Sequence, residues 1–206
     1  MAKIRNLLLI FVSAGAIIWA QDATEPAVVT DTRPEPFTSF SQRFKWAARS
    51  AVSPQRSAGY VFSSAITTAS NSPEEYGPHW DGFGKRIGLR MSTGATGIML
   101  ETGIGALWGE DPRYVRATGR PVKARMLNAV KMTFMAHNRE GKIVPAYARY
   151  ISVPANSFIT NSWRADSHAT VERATLRIPL SFVDRMIANF FSEFWPDMTK
   201  PLHRGK

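Results

Sequence analysis

The chain has 206 residues, with 26 lysines and arginines against 16 aspartates and glutamates, and its formal net charge is +10. It contains no cysteine, which excludes disulfides, thiol catalysis and thiolate metal sites. The excess of positive charge favours an anionic partner; the alternative is a generic basic surface that has no ligand.

The N-terminal segment has the pattern of a secretory signal peptide. Lys3 and Arg5 precede an apolar run from Leu7 to Ala20, in which Ser13 is the one polar side chain. The run from Leu7 to Ala20 has 14 residues and spans about 21 Å as a helix. A bilayer-spanning helix needs roughly 20 residues, or about 30 Å, so the run has the length of a signal-peptide core instead. We expect cleavage after Ala20, which lowers the net charge from +10 to +8 by removing Lys3 and Arg5. An uncleaved membrane anchor is the alternative.

The remainder of the chain is expected to contain one domain. Residues 21–37 include three prolines among polar and acidic residues, which predicts a flexible leader. Helical patterning then covers residues 38–198, which predicts a single helical domain. Residues 199–206 are expected to form a basic tail.

Capping and breaking residues divide the domain into helical segments. Pro179 is expected to kink the last of them. No alternating pattern long enough for a strand is present, so we predict an all-α bundle of about five or six helices. In chain order the segments are a helix from Thr38, a second from Ser53-Pro54 to Asn71, one turn at Ser72 to Glu75, a long helix from Trp80 to Trp108, a helix from Pro121 to Ala136, a short helix from Pro154 to Trp163 and a long segment from Ser167 to Trp195.

The segment from Trp80 to Trp108 contains seven glycines, which would normally argue against a helix. Their spacing nevertheless places small residues on one stripe of a helix, and such a stripe allows the backbone of another helix to approach closely. The neighbour could belong to the same chain or to a second copy, which would form a homo-oligomer. The stripe consists of Gly84, Gly88, Ser92, Ala95, Gly103 and Ala106.

Several segments resemble those of an uncharacterised family of exported bacterial proteins. They are EYGPHWDGFGKR (residues 75–86), GALWGEDPRY (105–114), KMTF (131–134), PAYARY (145–150) and EFWPD (193–197). The resemblance covers nearly all of the chain that follows the signal segment. It implies a full-length exported domain, and it implies no activity, cofactor or catalytic residue.

The long helix is a candidate membrane-contact site. From Met91 to Trp108 its one charged residue is Glu101, and basic residues lie on both sides of this run. Trp80 and Trp108 would suit the level of the membrane interface, and basic residues are attracted to anionic lipid. The alternative is a core helix of a soluble bundle. The candidate binding residues are Lys85, Arg86, Arg90, Arg113, Arg116, Arg120, Lys123 and Arg125.

A second candidate is a cluster of acids with one histidine, formed by Glu74, Glu75, His79 and Asp81. Carboxylates and an imidazole can transfer protons or bind metal. The spacing matches no known metal motif, so we predict no metal site and no cofactor. The nearby segment from Glu110 to Tyr114 is interpreted as a structural turn, in which Arg113 pairs with Glu110 or reaches the end of the preceding helix.

Two hypotheses follow. The first is a non-enzymatic envelope protein that is membrane-associated or acts as an interaction module, with anionic lipid or envelope polymer as its partner. Export makes nucleic acid an improbable partner. The second is an envelope hydrolase that acts on lipid or cell wall, with the cluster of Glu74, Glu75, His79 and Asp81 as its catalytic centre.

Overall fold

The computed structural model describes Phe37 and residues 39–203, with side chains up to Met198. The predicted signal peptide (residues 1–20) and nearly all of the predicted leader lie outside the described residues. Within them, six α-helices and one small hairpin form, which confirms the predicted all-α bundle.

The helices are separated by short 3-10 turns and loops. The 3-10 turns are Glu74–Tyr76, Thr160–Trp163 and Asp166–His168. The α-helices are α1 (Phe40–Ala51), α2 (Pro54–Ala69), α3 (Trp80–Trp108), α4 (Val122–Phe134), α5 (Tyr147–Ile159) and α6 (Val171–His203), and the strands are β1 (Met135–His137) and β2 (Ile143–Pro145).

Several helix boundaries differ from the predicted ones. Helix α4 ends at Phe134 rather than at Ala136, because Met135–His137 form a strand. Helix α1 is capped by Ser39, one residue after the predicted Thr38, and the Ser39 side chain accepts a bond from the Gln42 N–H. Helix α5 contains Pro154 rather than beginning there, so the proline removes one backbone hydrogen bond inside the helix. Helix α6 begins at Val171 and continues to His203, five residues into the segment predicted as a tail.

The small hairpin was not predicted, because three-residue strands are too short to show alternation. Strands β1 and β2 are antiparallel, with Met135 paired to Pro145 and His137 to Ile143. A turn at residues 138–141 joins the two strands. The Asn138 side chain fixes it by accepting bonds from the backbone N–H groups of Glu140 and Lys142.

Helix α3 is the central element of the bundle. It packs against α1, α2 and α5, while α6 packs against α4 and α5. Gly109 ends α3 in the left-handed conformation, with φ of 82°. The N–H groups of Gly109 and Glu110 both bond to the Gly105 carbonyl oxygen, which closes the helix and turns the chain.

The small-residue stripe predicted on α3 is not the face that packs most closely. A methyl group added at Gly84, Gly88 or Gly103 would meet open space, and Ser92 is exposed. Ala95 alone among the stripe packs against the small apolar cluster of α1 and α3, while Ala106 is half-buried. The close approaches are made by Gly82, Gly94, Gly97 and Gly105. Helical spacing shows which residues share one face of α3. It does not show which face of α3 contacts another helix.

These glycines provide a matched test of the packing. At Gly82 an alanine Cβ would overlap the carbonyl oxygens of Tyr76 and Gly77, whereas at Gly84 it would meet nothing. We expect Gly82→Ala to lower the free energy of unfolding, because the backbone of the preceding turn must move. We expect Gly84→Ala to raise it by up to about 1 kcal/mol, the usual gain in helix propensity. Chemical denaturation of both variants measures the difference, and equal effects would contradict this packing.

Candidate functional site

The centre of the bundle is held together by charged side chains rather than by a large apolar core. Among the described residues nine hydrophobic residues are buried, and seven of them are alanines. By contrast, 29 large hydrophobic residues are exposed. The largest fully buried side chains include Glu193, Thr133 and Thr160. Polar groups therefore lie inside and apolar groups outside, which is the reverse of an ordinary soluble bundle.

The first charged cluster surrounds Glu101 in the middle of α3. Its carboxylate accepts hydrogen bonds from Arg149 Nε at 3.0 Å and from Arg185 Nη2 at 2.9 Å. Arg149 also donates to the carbonyl oxygens of Met132 and Thr133 at the end of α4. Burial raises the pKa of Glu101, but the two guanidinium groups outweigh it and leave the pKa below its usual range. This cluster therefore joins α3, α4, α5 and α6.

The second cluster surrounds Glu193 in α6, whose side chain is fully buried. It accepts bonds from the Tyr114 hydroxyl at 2.6 Å, from the Ala117 N–H at 3.1 Å and from Arg125 Nε at 3.0 Å. Burial raises the pKa of Tyr114, and the adjacent carboxylate raises it further. Arg125 also pairs with Asp197 at 2.6 Å. The cluster attaches α6 to α4 and to the loop that precedes α4.

The segment from Glu110 to Tyr114 has a structural role, as its sequence suggests. The Glu110 side chain accepts bonds from Trp108 Nε1 and from the Ala148 N–H. Arg113, however, pairs with Asp111 and not with Glu110. Its guanidinium also lies 4.0 Å from the centre of the Phe37 ring. The shorter Asp111 is favoured because its carboxylate also accepts the Arg113 backbone N–H in the turn.

Helix α6 shows how far the usual arrangement is reversed. Its inward side carries Arg185, Asn189 and Glu193, and the latter two are buried. Its outward side is a stripe of apolar side chains at steps of three and four residues, about 33 Å long at 1.5 Å per residue. The stripe consists of Leu176, Leu180, Val183, Ile187, Phe191, Trp195 and Met198.

The neighbouring helices extend this surface. Phe182 of α6 stacks on Phe134 of α4 and packs against Tyr150 of α5, so the three helices meet there. We call the exposed apolar side chains of α4, α5 and α6 the apolar exterior. Besides the α6 stripe it includes Val122, Met126, Leu127, Val130, Phe134, Tyr147, Tyr150, Ile151, Phe158 and Ile159. Soluble monomeric proteins rarely expose large contiguous apolar patches, so these side chains mark a candidate contact surface.

The predicted basic binding residues divide into two groups. Lys85, Arg120 and Lys123 are exposed, although Lys85 lies 3.8 Å from Asp81. Lys131 is not among the predicted binding residues, but it is exposed on α4 beside the apolar exterior. Lys123 and Lys131 form no salt bridge within the described residues.

The other five candidates are buried or half-buried and lie against other parts of the protein. Arg86 is 2% exposed and donates to the carbonyl oxygens of Ser72, Pro73 and Gly77. Arg113 and Arg125 are held by carboxylates, as described above. Arg90 bonds to the end of α2, and Arg116 is half-buried. Arginines that cap carbonyls or pair with acids cannot be recognised as such from sequence spacing.

The four residues around His79 do not form a joint site. Glu75 accepts a bond from the Ser167 N–H at 3.2 Å, and Asp81 faces Lys85. Glu74 and His79 are exposed, and His79 serves as the N-cap residue of α3 without a side-chain bond. No group of three or more histidines and acids among the described residues lies close enough to hold a metal ion.

None of the helices in residues 39–203 combines the length and the mean hydropathy of a membrane-crossing segment. Comparisons with known protein families, with curated proteins and with solved structures find no match for this chain.

The Glu101 cluster yields a stability prediction. We expect Glu101→Gln to lower the free energy of unfolding by about 3–5 kcal/mol, because two buried guanidinium groups lose their counter-charge. The matched control is Glu140→Gln, whose partner Lys142 is exposed and whose loss is expected to cost about 1 kcal/mol or less.

The stability difference between wild type and Glu101→Gln has a defined pH dependence. Because the pKa of Glu101 is lowered in the fold, its stabilisation is present above the ordinary carboxyl range and is lost as pH falls through the folded pKa. The stability difference between wild type and Glu101→Gln should therefore shrink on acidification. A difference that is constant with pH, measured by denaturant titration, would show that the carboxylate charge is not what matters.

Proposed function

We propose that this chain is a non-enzymatic, exported protein of the bacterial envelope, which binds an anionic lipid surface through its apolar exterior. The observation that carries the proposal is the reversed distribution of side chains, with charged clusters inside and apolar side chains outside. Apolar surface gains about 25 cal/mol for each Å² removed from water. A surface of this extent is therefore unfavourable in water and favourable against acyl chains.

The cations beside the apolar exterior support the anionic part of the proposal. Lys123 and Lys131 are exposed on α4, on the same outward side as Met126, Leu127 and Val130. A lysine close to an anionic surface contributes about 1 kcal/mol. Two such residues next to the apolar side chains would therefore favour anionic over neutral lipid.

The aromatic residues fit the same partner. The Trp80 side chain is 84% exposed at the start of α3, and Trp108 at the other end of the helix is exposed as well. Tryptophan is enriched at membrane interfaces because its ring is amphipathic. An anionic envelope polymer would attract the lysines equally but would leave the apolar exterior without a partner, so lipid is the better match.

The export step has its own test. If the N-terminal segment is a signal peptide, protein recovered from the envelope fraction of an expressing bacterium should begin at Gln21. Intact-mass measurement determines this start. A chain that retains residues 1–20 in the membrane fraction would indicate an anchor instead.

Lipid binding is tested with the protein recovered from that fraction and with vesicles of phosphatidylcholine alone or with phosphatidylglycerol. We expect preferential binding to the anionic vesicles that weakens with added salt, because salt screens exposed charges. Replacing Lys123 and Lys131 by alanine should weaken that binding roughly 30-fold, from two contributions of about 1 kcal/mol each. The matched control removes Lys85 and Lys142, which lie beside acids.

The apolar contribution is tested by Leu180→Asp combined with Ile187→Asp, two exposed positions of the α6 stripe. This double variant should keep its helical content and lose binding to both kinds of vesicle. Glu74→Ala and His79→Ala, which address the alternative of a hydrolase, should leave both fold and vesicle binding unchanged. Salt-independent, equal binding to neutral and anionic vesicles would refute the anionic lipid as the partner.

A further inference from the structure

Three arginines that the charged clusters do not use come together where α3, α6 and the segment between α5 and α6 meet. Arg164 Nη2 lies 3.4 Å from the Thr93 hydroxyl, one turn along α3 from Arg90. Arg177 of α6 donates to the carbonyl oxygens of His168 and Ser157, on either side of Arg164. We call Arg90, Arg164 and Arg177 the arginine trio.

The trio differs from the arginines that pair with acids, and also from the buried Arg86, whose Nε donates to the Ser72 carbonyl oxygen. Arg113, Arg125, Arg149 and Arg185 each contact a carboxylate. The trio forms no salt bridge with any described residue, and its hydrogen bonds go to neutral oxygens. The Nε atoms of all three are buried and have no hydrogen-bond acceptor. None of these three partly buried charges is therefore paired directly with a carboxylate.

The surroundings of the trio contain few opposing charges. The Asp184 carboxylate on α6 attracts the Arg90 guanidinium electrostatically, but the two do not form an ion pair. The Glu75 carboxylate accepts a hydrogen bond from the Ser167 N–H. Burial, together with the positive charges of Arg177 and Arg90, lowers the pKa of Arg164 to about 10. Close guanidinium groups without counter-ions destabilise one another, so an anion bound between them would stabilise the fold.

The groups at this place suit a phosphate. Guanidinium groups bind phosphate through paired N–H donors and keep their charge when partly buried. The Tyr76 hydroxyl, near Arg164, accepts the Ala165 N–H at 2.9 Å, which leaves its own proton to donate. Three cations also favour an anion with two charges, such as inorganic phosphate or a phosphate monoester, over a singly charged diester.

We propose that the arginine trio is a binding site for a doubly charged phosphate group, with Arg164 at its centre. Inorganic phosphate and the headgroup of a phosphomonoester lipid both supply this chemistry. The inference goes beyond the proposed function, which needs the apolar exterior and the lysines of α4 and makes no use of the trio.

The first experiment uses inorganic phosphate and no lipid. The recovered protein is kept in an uncharged detergent, and phosphate replaces chloride at constant ionic strength in the low millimolar range. We expect the unfolding temperature to rise and to saturate with phosphate. Arg164→Met should abolish this rise, whereas Arg120→Met, an exposed arginine of the loop before α4, should retain it. No saturating rise in the wild type, or its survival in Arg164→Met, would overturn the proposal.

Two further measurements keep the result decisive. If Arg164→Met does not fold, Arg164→Lys preserves the charge without the paired donors, and phosphate should then bind at least tenfold more weakly. Vesicles that contain phosphatidic acid, compared with phosphatidylglycerol vesicles, identify the source of the phosphate. A preference for phosphatidic acid that Arg164→Met removes indicates a lipid headgroup. A phosphate-dependent rise with no such preference indicates a soluble phosphate.

The two proposals can fail separately. Vesicle binding that depends on Lys123 and Lys131, with no effect of phosphate on the unfolding temperature, would remove the trio site and leave the proposed function. A saturating effect of phosphate on the unfolding temperature without any vesicle binding would remove the proposed function and leave the trio site.

Discussion

The bundle depends on the carboxylate of Glu101, which holds two guanidinium groups from two other helices within 3.0 Å. Desolvating such charges is expensive, and a well-packed apolar cluster would often be as stable. What the charges add is geometry, because each guanidinium has to meet both the carboxylate and nearby backbone carbonyls. The largely alanine core supplies little large apolar contact to fix these positions otherwise. The ion cluster therefore determines how α3, α4, α5 and α6 fit together.

A charged interior has a consequence for the exterior. Each helix has a limited number of faces, and α6 uses its inner face for Arg185, Asn189 and Glu193. The large apolar side chains of its stripe are then left on the outside, where they remain 40–59% exposed. The arrangement that satisfies the buried charges therefore also creates the exposed apolar surface on which the proposed lipid contact rests.

The sequence predicted the helices well and their orientation poorly, and the reason is physical. Proline, serine and glycine act locally, so the starts and ends of α2 and α3 could be placed from the chain alone. Periodicity shows which residues share a face but not which face is buried. Glu101 is the one charged residue of an apolar run in the sequence, and in the fold its carboxylate is the centre of a buried ion cluster. Likewise Gly84 and Gly88 looked like packing positions, whereas the neighbouring Gly82 is the one against the backbone.

The distribution of cations also gives the net charge of +10 a more specific meaning than a generic basic surface. Where acids are buried, at Glu101 and Glu193, the arginines are neutralised and serve the fold. Two sets of cations form no salt bridge with a described acid. The lysines of α4 are exposed point charges that suit a diffuse anionic surface, whereas the arginine trio is half-buried and offers directed donors. The proposed lipid surface would contact the first set and the proposed phosphate the second, so the two proposals rest on different cations of the chain.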